Sequence, residues 1–211
     1  MFRRRYRKRF RRRAYRKRGG SFWNIAKKAA QGVVRYYLNP GYKFLDSLPT
    51  ISPGSGGLMT NISAIALGDN DTDRNGSSIK ITSHLLRGTL TKAAAATATK
   101  VRVIIFADAS SNGALPVVAD VLQTSNQDSP LNKVNGSRFT VLFDKSYVLT
   151  NDTPMRQFKH FKKMQHHIHY LNGTSATSAM GQGPIYMLTI SNEPTNAPTV
   201  SVNSRMRFLD N

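Results

Sequence analysis

The sequence divides sharply by charge, and this division decides which part of the chain can build a packed core. The first 43 residues contain sixteen Lys and Arg side chains and no Asp or Glu. The other 168 residues contain fifteen basic and eleven acidic side chains, a net charge of +4 out of the +20 of the whole chain. A block of like charges repels itself and has little apolar surface to bury. We therefore expect one folded domain in the near-neutral part, with a basic tail in front of it.

The composition excludes several other classes of protein. There is no Cys, so neither disulfides nor thiolate metal sites are available. No window approaches the roughly 18 uninterrupted apolar residues of a membrane span. The basic start is not followed by the apolar stretch of about 7–15 residues that a signal peptide requires. We therefore expect the protein to stay in the cell that makes it until it is packaged.

The most basic segment, residues 3–18, contains ten Arg and two Lys and is expected to be disordered when free. The guanidinium group binds phosphate oxygens through two parallel hydrogen bonds. The interleaved aromatic rings can stack on unpaired bases. The segment therefore predicts contact with single-stranded nucleic acid, and a host nuclear import receptor could read the same run. The predicted nucleic-acid-binding residues are Arg3, Arg4, Arg5, Tyr6, Arg7, Lys8, Arg9, Phe10, Arg11, Arg12, Arg13, Tyr15, Arg16, Lys17 and Arg18.

An amphipathic helix is predicted next. Ser21 is a suitable N-cap, and apolar residues then recur at three- and four-residue steps as far as Tyr37, with basic residues opposite. Such a helix can lie on a membrane surface, so membrane contact by residues 22–38 is one interpretation. Docking of the apolar stripe on the folded domain is favoured. The predicted organisation is a basic arm at 1–20, a helix and a Pro- and Gly-rich connector at 21–57, and the folded domain at 58–211.

Eight segments have the β-branched content, alternation and flanking turns of strands. Segment 100–108 carries apolar residues on both faces, so burial on both sides is expected. Helix–strand alternation is absent, which favours an antiparallel sandwich or barrel. We predict an all-β fold, an eight-stranded antiparallel jelly-roll sandwich. The predicted strands are 59–67, 78–92, 100–108, 137–143, 145–150, 158–171, 184–191 and 199–210.

One loop has the opening of a calcium site. Asp71, Asp73, Asn75 and Gly76 place oxygen ligands at alternate positions before a turn. The twelfth position is Thr82 instead of a bidentate Glu, and no helices flank the loop. A polar turn between strands is the favoured interpretation, and Asp71, Asp73 and Asn75 remain a secondary calcium candidate.

The histidines and the catalytic motifs give no stronger site. His167 and His169 would share one face of a strand, and with His160 and His166 nearby a zinc site is conceivable. Solvated or interface histidines are favoured. No nucleophile elbow, paired carboxylates or Gly-rich loop opening a helix is present. We therefore predict that the protein is not an enzyme and needs no cofactor.

Four short motifs stand out within residues 60–211. They are Asp73-Arg74-Asn75-Gly76, Val101-Arg102-Val103-Ile104-Ile105-Phe106-Ala107-Asp108, Arg138-Phe139-Thr140-Val141-Leu142-Phe143-Asp144-Lys145 and Ser204-Arg205-Met206-Arg207-Phe208-Leu209-Asp210. In order and spacing, these motifs resemble capsid proteins of small circular single-stranded DNA viruses that encode a replication initiator, of circovirus and geminivirus type.

That resemblance implies an icosahedral T=1 shell of about sixty copies, with the arms inside. It also implies packaging of circular single-stranded DNA, a place in the virion, and a stage in the host nucleus before assembly. Coats of satellite RNA viruses are similar in plan, so an RNA genome is the alternative.

Two other classes of function remain open. One is a cellular basic nucleic-acid-binding protein of ribosomal or chromatin type. Such proteins usually carry basic residues on the folded part, and a folded part of net +4 speaks against it. The other is a membrane-active protein that works through residues 22–38.

Deletion of residues 1–18 tests the division between tail and domain. The deleted segment contributes nothing to a core, so the remaining chain should keep its fold. It should lose most of its non-specific affinity for nucleic acid. Circular dichroism and salt-dependent binding of single strands measure both effects. An unchanged salt slope in the truncated protein would contradict the division.

Overall fold

The computed structural model describes residues 26–27 and 41–210. Ala26 and Lys27 are helical. The arm at 1–20 and the rest of the predicted amphipathic helix lie outside the described residues. The chain divides into two units, Met1–Asn39 and Pro40–Asn211, and all the strands belong to the second. Within the described ranges, no helix has the length and apolar character needed to cross a membrane.

Within residues 41–210 the second unit contains nine strands in two antiparallel sheets. The strands are β1 (Lys43–Ser47), β2 (Thr50–Ile51), β3 (Leu58–Asn61), β4 (Ser78–Thr91), β5 (Ala98–Asp108), β6 (Phe139–Thr150), β7 (Met155–His169), β8 (Ile185–Ser191) and β9 (Thr199–Asp210). One sheet has the order β1-β9-β4-β7, with β2 also paired to β9, and the other has the order β3-β8-β5-β6. This connectivity is that of a jelly roll, which confirms the predicted fold class. A four-residue helix at Val118–Val121 and a 3-10 turn at Thr177–Ala179 complete the described elements of this unit.

The alternation of apolar and polar residues determines which side chains enter the space between the sheets. In β9 every second side chain from Val200 to Phe208 is buried, and the side chains between them are exposed. β4 and β7 contribute apolar side chains to the core from the same sheet as β9. β5 and β8 contribute apolar side chains from the other sheet. Members of this core include Ile79, Ile81, Leu86, Leu90, Val101, Val103, Ile105, Phe158, Ile168, Met187, Val202, Met206 and Phe208.

A second, smaller core lies on the opposite face of β5. Ile104 and Phe106 pack there against Tyr186 and Leu188 of β8, and Val121 covers them. The excursion at 109–138 between β5 and β6 carries Val121, so this loop buries the outer face of the sheet. The expected burial of segment 100–108 on both sides is confirmed.

The domain begins earlier than the sequence pattern indicated. Residues 21–57 were expected to form a helix and a connector, but β1 and β2 lie in this region and both pair with β9. Leu45 and Ile51 pack against the main core. Pro49 interrupts the pairing because proline cannot donate a ladder hydrogen bond. β1 and β2 are therefore one interrupted edge strand, which brings the count to eight.

Three of the predicted strands differ from the observed ones. Segments 137–143 and 145–150 form one strand, β6, because Asp144 faces outward and accepts two hydrogen bonds from Arg102 on β5. The segment predicted at 59–67 leaves the sheet after Asn61, whose side chain accepts a hydrogen bond from the Ser63 N–H and turns the chain. Ile62 and Ile65 remain buried beyond that turn, which explains why the apolar pattern continued.

Replacing Gly88 with Ala should destabilise the sandwich by about 1–3 kcal/mol. A Cβ at position 88 would lie 2.3 Å from the ring of buried Phe158, so the ring would have to move. Gly56 is the matched control, because a Cβ there would meet nothing within 4 Å. Urea unfolding of both variants measures the difference. Equal midpoints for the two variants would show that Phe158 is free to shift.

Acid should weaken the domain through His84. This side chain is fully buried, its Nε2 lies 2.9 Å from Ser204 Oγ, and burial, with a smaller contribution from the nearby His160, lowers its pKa to about 4. The unfolded chain then binds a proton before the folded one does. The corresponding stability, roughly 3 kcal/mol from the size of the shift, is present above about pH 6.5 and is lost as the pH falls towards 4.

The variant His84→Gln should show a flatter dependence of unfolding free energy on pH over that range. The pKa of His160 is also lowered, mainly by burial, so some of the slope should remain. Denaturant unfolding at several pH values measures it, and parallel curves for the two proteins would rule out His84 as the source.

Candidate nucleic-acid interface

The outward face of the β1-β9-β4-β7 sheet is the basic surface of the domain. Residues that alternate with the core side chains must point away from it. The strand registers place these residues in four rows across β9, β4 and β7. The rows are Arg207, Ser83 and Lys163, then Arg205, Leu85 and Phe161, then Asn203, Arg87 and Lys159, and finally Ser201, Thr89 and Gln157.

Three depressions run across this face and share lining residues. The first, of about 620 Å³, and the second, of about 360 Å³, have Arg87 and Asn203 in common. The second and the third, of about 550 Å³, have Leu85 and Arg205 in common. We call this continuous surface the basic trough. Its outward-facing lining residues are Tyr42, Asp46, Leu48, Thr50, Ser83, Leu85, Arg87, Thr89, Gln157, Lys159, Phe161, Lys163, Ser201, Asn203, Arg205 and Arg207.

Most cations of the basic trough have no acidic partner. Among the described residues, no carboxylate lies within ion-pair distance of Arg87, Lys159, Lys163 or Arg207. Arg205 differs, because its guanidinium donates two hydrogen bonds of 2.6 Å to Asp46. Those bonds lower the pKa of the Asp46 carboxyl. The trough therefore presents four uncompensated positive charges to solvent.

The opposite sheet and its covering loop differ, since three of their cations are paired with carboxylates. Arg138 donates two hydrogen bonds to the fully buried Asp108, which ties the 109–138 excursion to the end of β5. The other pairs are Arg102 with Asp144 and Lys100 with Asp128. The small net charge of the domain therefore does not describe its surface, because much of the charge on this side is paired and most of that in the basic trough is not.

Exposed aromatic rings lie at one end of the basic trough. Phe161 is 54% exposed and Tyr42 is 61% exposed, and both line the same depression as Lys163 and Arg207. Phe44, on the adjacent edge strand, lies under the Arg205 guanidinium at 5.2 Å. Aromatic side chains beside a basic groove are the combination that holds unpaired nucleotides, because bases stack on the rings while phosphates contact the cations.

The sequence analysis did not identify the basic trough. The sequence pattern that could have indicated it is the spacing of basic residues in two strands, Lys159 with Lys163 in β7 and Arg205 with Arg207 in β9. Each pair lies on one face of its strand. The two pairs of basic residues come together only because β7 and β9 both pair with β4, and no local sequence pattern indicates that pairing. The predicted arm residues, by contrast, lie outside the described residues.

Two of the three residues of the calcium candidate, Asp73 and Asn75, have side chains engaged with other groups. The Lys43 ammonium donates to Asn75 Oδ1 at 2.6 Å and forms a 3.0 Å ion pair with Asp210. Asp73 Oδ2 accepts a hydrogen bond from Asn70. Within the described ranges there is no group of three His, Cys, Asp or Glu that could hold a metal ion. Calcium binding at Asp71, Asp73 and Asn75 stays an untested prediction.

The turn that contains those residues is held by a buried arginine instead. Arg74 is 2% exposed, donates from Nε to the Ile65 carbonyl at 3.1 Å, and also donates to the Gly76 and Asn172 carbonyls. Its guanidinium lies 4.1 Å from the centre of the Tyr170 ring. The polar turn was predicted, and the burial of its arginine was not.

The histidines of β7 do not converge on one site. His167 and His169 lie on the outward face of the strand, as their spacing predicted, whereas His160 and His166 alternate with them on the inner face. His166 Nε2 lies 2.6 Å from the Gly183 carbonyl oxygen. His160 packs against the Phe143 ring. The arrangement therefore gives no support to a zinc site built from all four.

Comparison with known proteins decides the family. The family model of the satellite tobacco necrosis virus coat protein matches residues 27–211. The chain belongs to this family. The match covers the whole jelly roll and leaves out residues 1–26, which include the basic arm.

Individual relatives agree with the family match. The chain is 24% identical to the coat protein of Maize white line mosaic satellite virus over 169 residues, 77% of each chain. It is 31% identical to the capsid protein of Satellite tobacco necrosis virus 1 over 141 residues, 64% of this chain and 69% of that protein. A solved chain of the naturally empty cowpea mosaic virus top component is 11% identical, over 76% of this chain and 84% of its own, with a TM-score of 0.36.

Family membership confirms the prediction of a viral coat protein and corrects its branch. The short motifs resembled capsids of circular single-stranded DNA viruses, and the family match does not support that assignment. Those motifs are largely alternating strand sequences and a polar turn, which any jelly-roll sheet requires. The satellite virus coat, named as the alternative, is the type supported.

Proposed function

We propose that this coat protein closes into an icosahedral shell of identical copies and packages single-stranded nucleic acid through two basic surfaces, the arm and the basic trough. The observation that carries the proposal is the set of four trough cations without a carboxylate partner. Unpaired cations on one face attract a polyanion and release its counterions. Contacts of this kind position the polymer without reading its sequence.

Continuity of the chain supports a shared role for the two surfaces. Residues 1–41, which include the arm, lead directly into Tyr42, which lines the basic trough. The arm residues proposed to bind are those at 3–18, whose guanidinium groups hold phosphates bidentately. One polymer could then occupy both surfaces of a protomer, which raises the effective concentration of the second contact.

The family match favours the satellite type of genome over circular single-stranded DNA, so RNA is the proposed cargo. A T=1 shell of about sixty copies remains part of the proposal. A nuclear stage before assembly rests on the basic arm alone, gains no support from the family, and stays a prediction. The structural role of the coat family also favours the expected non-enzymatic function.

Removing two trough lysines should reduce the salt dependence of nucleic-acid binding. In Lys159→Gln/Lys163→Gln, the logarithmic salt slope for single-stranded RNA should fall by roughly 1.4, since each neutralised phosphate contributes about 0.7. The matched control is Lys133→Gln/Lys145→Gln, which removes the same charge from exposed positions outside the trough. Fluorescence anisotropy of full-length protein at several salt concentrations gives both slopes.

Equal slopes for the two variants would mean that the trough does not contact the polymer and that the arm acts alone. A slope near zero in the unmodified protein would contradict packaging by charge altogether. Repeating the titration with single-stranded DNA of the same length tests whether the sugar matters, because a protein that reads only phosphates should give the same slope.

A further inference from the structure

We infer that the largest depression of the basic trough is a pocket for one unpaired base, an inference that rests on the proposed packaging of single strands. The depression has a volume of about 620 Å³ and is bounded by β2, β4, β7 and β9. Ligand pockets typically measure 300–1,000 Å³, so one nucleotide fits within it. We call it the base pocket and define it by Leu48, Thr50, Arg87, Thr89, Gln157, Lys159, Ser201 and Asn203.

The shape of the base pocket follows from the size of its side chains. Thr50, Ser201 and Thr89 lie side by side on three neighbouring strands, because Ser201 pairs with both of the others. Because these side chains are short, they leave a hollow next to the neighbouring row, in which Arg87 of β4 lies opposite Lys159 of β7 in the strand register. The hollow is thus walled by long cationic side chains on one side and open to solvent above.

The polar groups of the base pocket suit the edge of a base. Gln157 and Asn203 are exposed, and neither side-chain amide has a hydrogen-bond partner within the described part of the chain. An amide offers both a donor and an acceptor, and it can turn to match either pattern. Every base presents donors and acceptors on its edges. The pocket can therefore accept any base, which agrees with binding that is indifferent to sequence.

The remaining groups provide an apolar wall and phosphate contacts. Leu48 is 67% exposed at the rim, so its side chain can cover the face of an inserted base. Arg87 and Lys159 stand next to the pocket without carboxylate partners, in reach of the phosphates on either side of that base. No carboxylate is among the residues that define the pocket, so nothing there repels the backbone.

A pocket of this kind would favour single strands over duplexes. A base inside a duplex has its pairing edge occupied and its faces stacked, so it cannot enter the pocket without first being unpaired and unstacked. Cations alone would bind a duplex as readily as a single strand. The base pocket therefore supplies a preference that the charges of the arm and the trough do not supply.

An abasic oligonucleotide separates the base from the phosphates. Full-length protein is titrated with two single-stranded 12-nucleotide oligomers of equal charge, one of uridines and one in which every base is absent. The variant Gln157→Ala/Asn203→Ala should bind the uridine oligomer several-fold more weakly and the abasic oligomer with unchanged affinity. Circular dichroism shows separately that the variant is folded, because the arm can bind phosphates whether or not the domain is folded. The matched control is Gln165→Ala/Gln182→Ala, which removes two exposed amides outside the pocket.

The ratio of the two affinities decides the inference. The aromatic residues of the arm also favour bases, so the unmodified protein and the control should share one ratio and the pocket variant should show a smaller one. An identical ratio in all three proteins would overturn the base pocket and leave packaging by charge intact. Failure of the unmodified protein to bind either oligomer would overturn the proposed function itself.

Discussion

The ladder between β4 and β9 is the interaction on which both the core and the basic trough depend. It runs from Ile79 opposite Asp210 to Thr91 opposite Thr199, interrupted by one register shift after Ile81. Because side chains alternate across a strand, the register that buries Val202 and Met206 also sends Arg205 and Arg207 outward. A slip of one residue would bury the arginines and expose the core. Burial of the core side chains therefore also determines the direction in which the cations point, although the cations are not part of the core.

Buried polar groups then fix how the loops close over the two sheets. Asp108 is fully buried at the end of β5 and accepts hydrogen bonds from Arg138, which brings the returning chain to the start of β6. Arg74 performs the same task at the other turn, where its guanidinium bonds three backbone carbonyls. Removing one partner of such a buried pair is costly because the other charge is left without compensation. The charges of Asp108 and Arg138 are thus paired within the domain, whereas Arg87, Lys159, Lys163 and Arg207 on the outer sheet face have no carboxylate partner among the described residues.

The sequence alone predicted an element correctly where a local pattern of residues determined its structure. β9 was predicted from its alternation and β5 from its apolar residues on both faces. The all-β class followed from eight strand-like segments without helix–strand alternation. β1 and β2 were missed because an edge strand of five residues and one of two residues have little pattern of their own and become strands only by pairing with β9. The basic trough was missed for a related reason. Lys159 and Arg205 are 46 positions apart in the chain and meet only through β4, so a count of net charge could not detect them.

The separation of charge within the domain connects folding to assembly. A folded protein with four unpaired cations on one face repels a second copy that presents the same face, and the repulsion is strongest when many copies surround one cavity. The opposite sheet, where Lys100, Arg102 and Arg138 are paired with carboxylates, carries a smaller penalty. In the proposed packaging, neutralisation of the basic face by a polyanion would remove the repulsion and add binding free energy that the unfolded chain does not share. A shell that packages in this way would be more stable when it is filled, so the stability of the protein and the presence of its cargo would be linked. That linkage requires no sequence-specific contact, because it depends only on where the strand register leaves the charges.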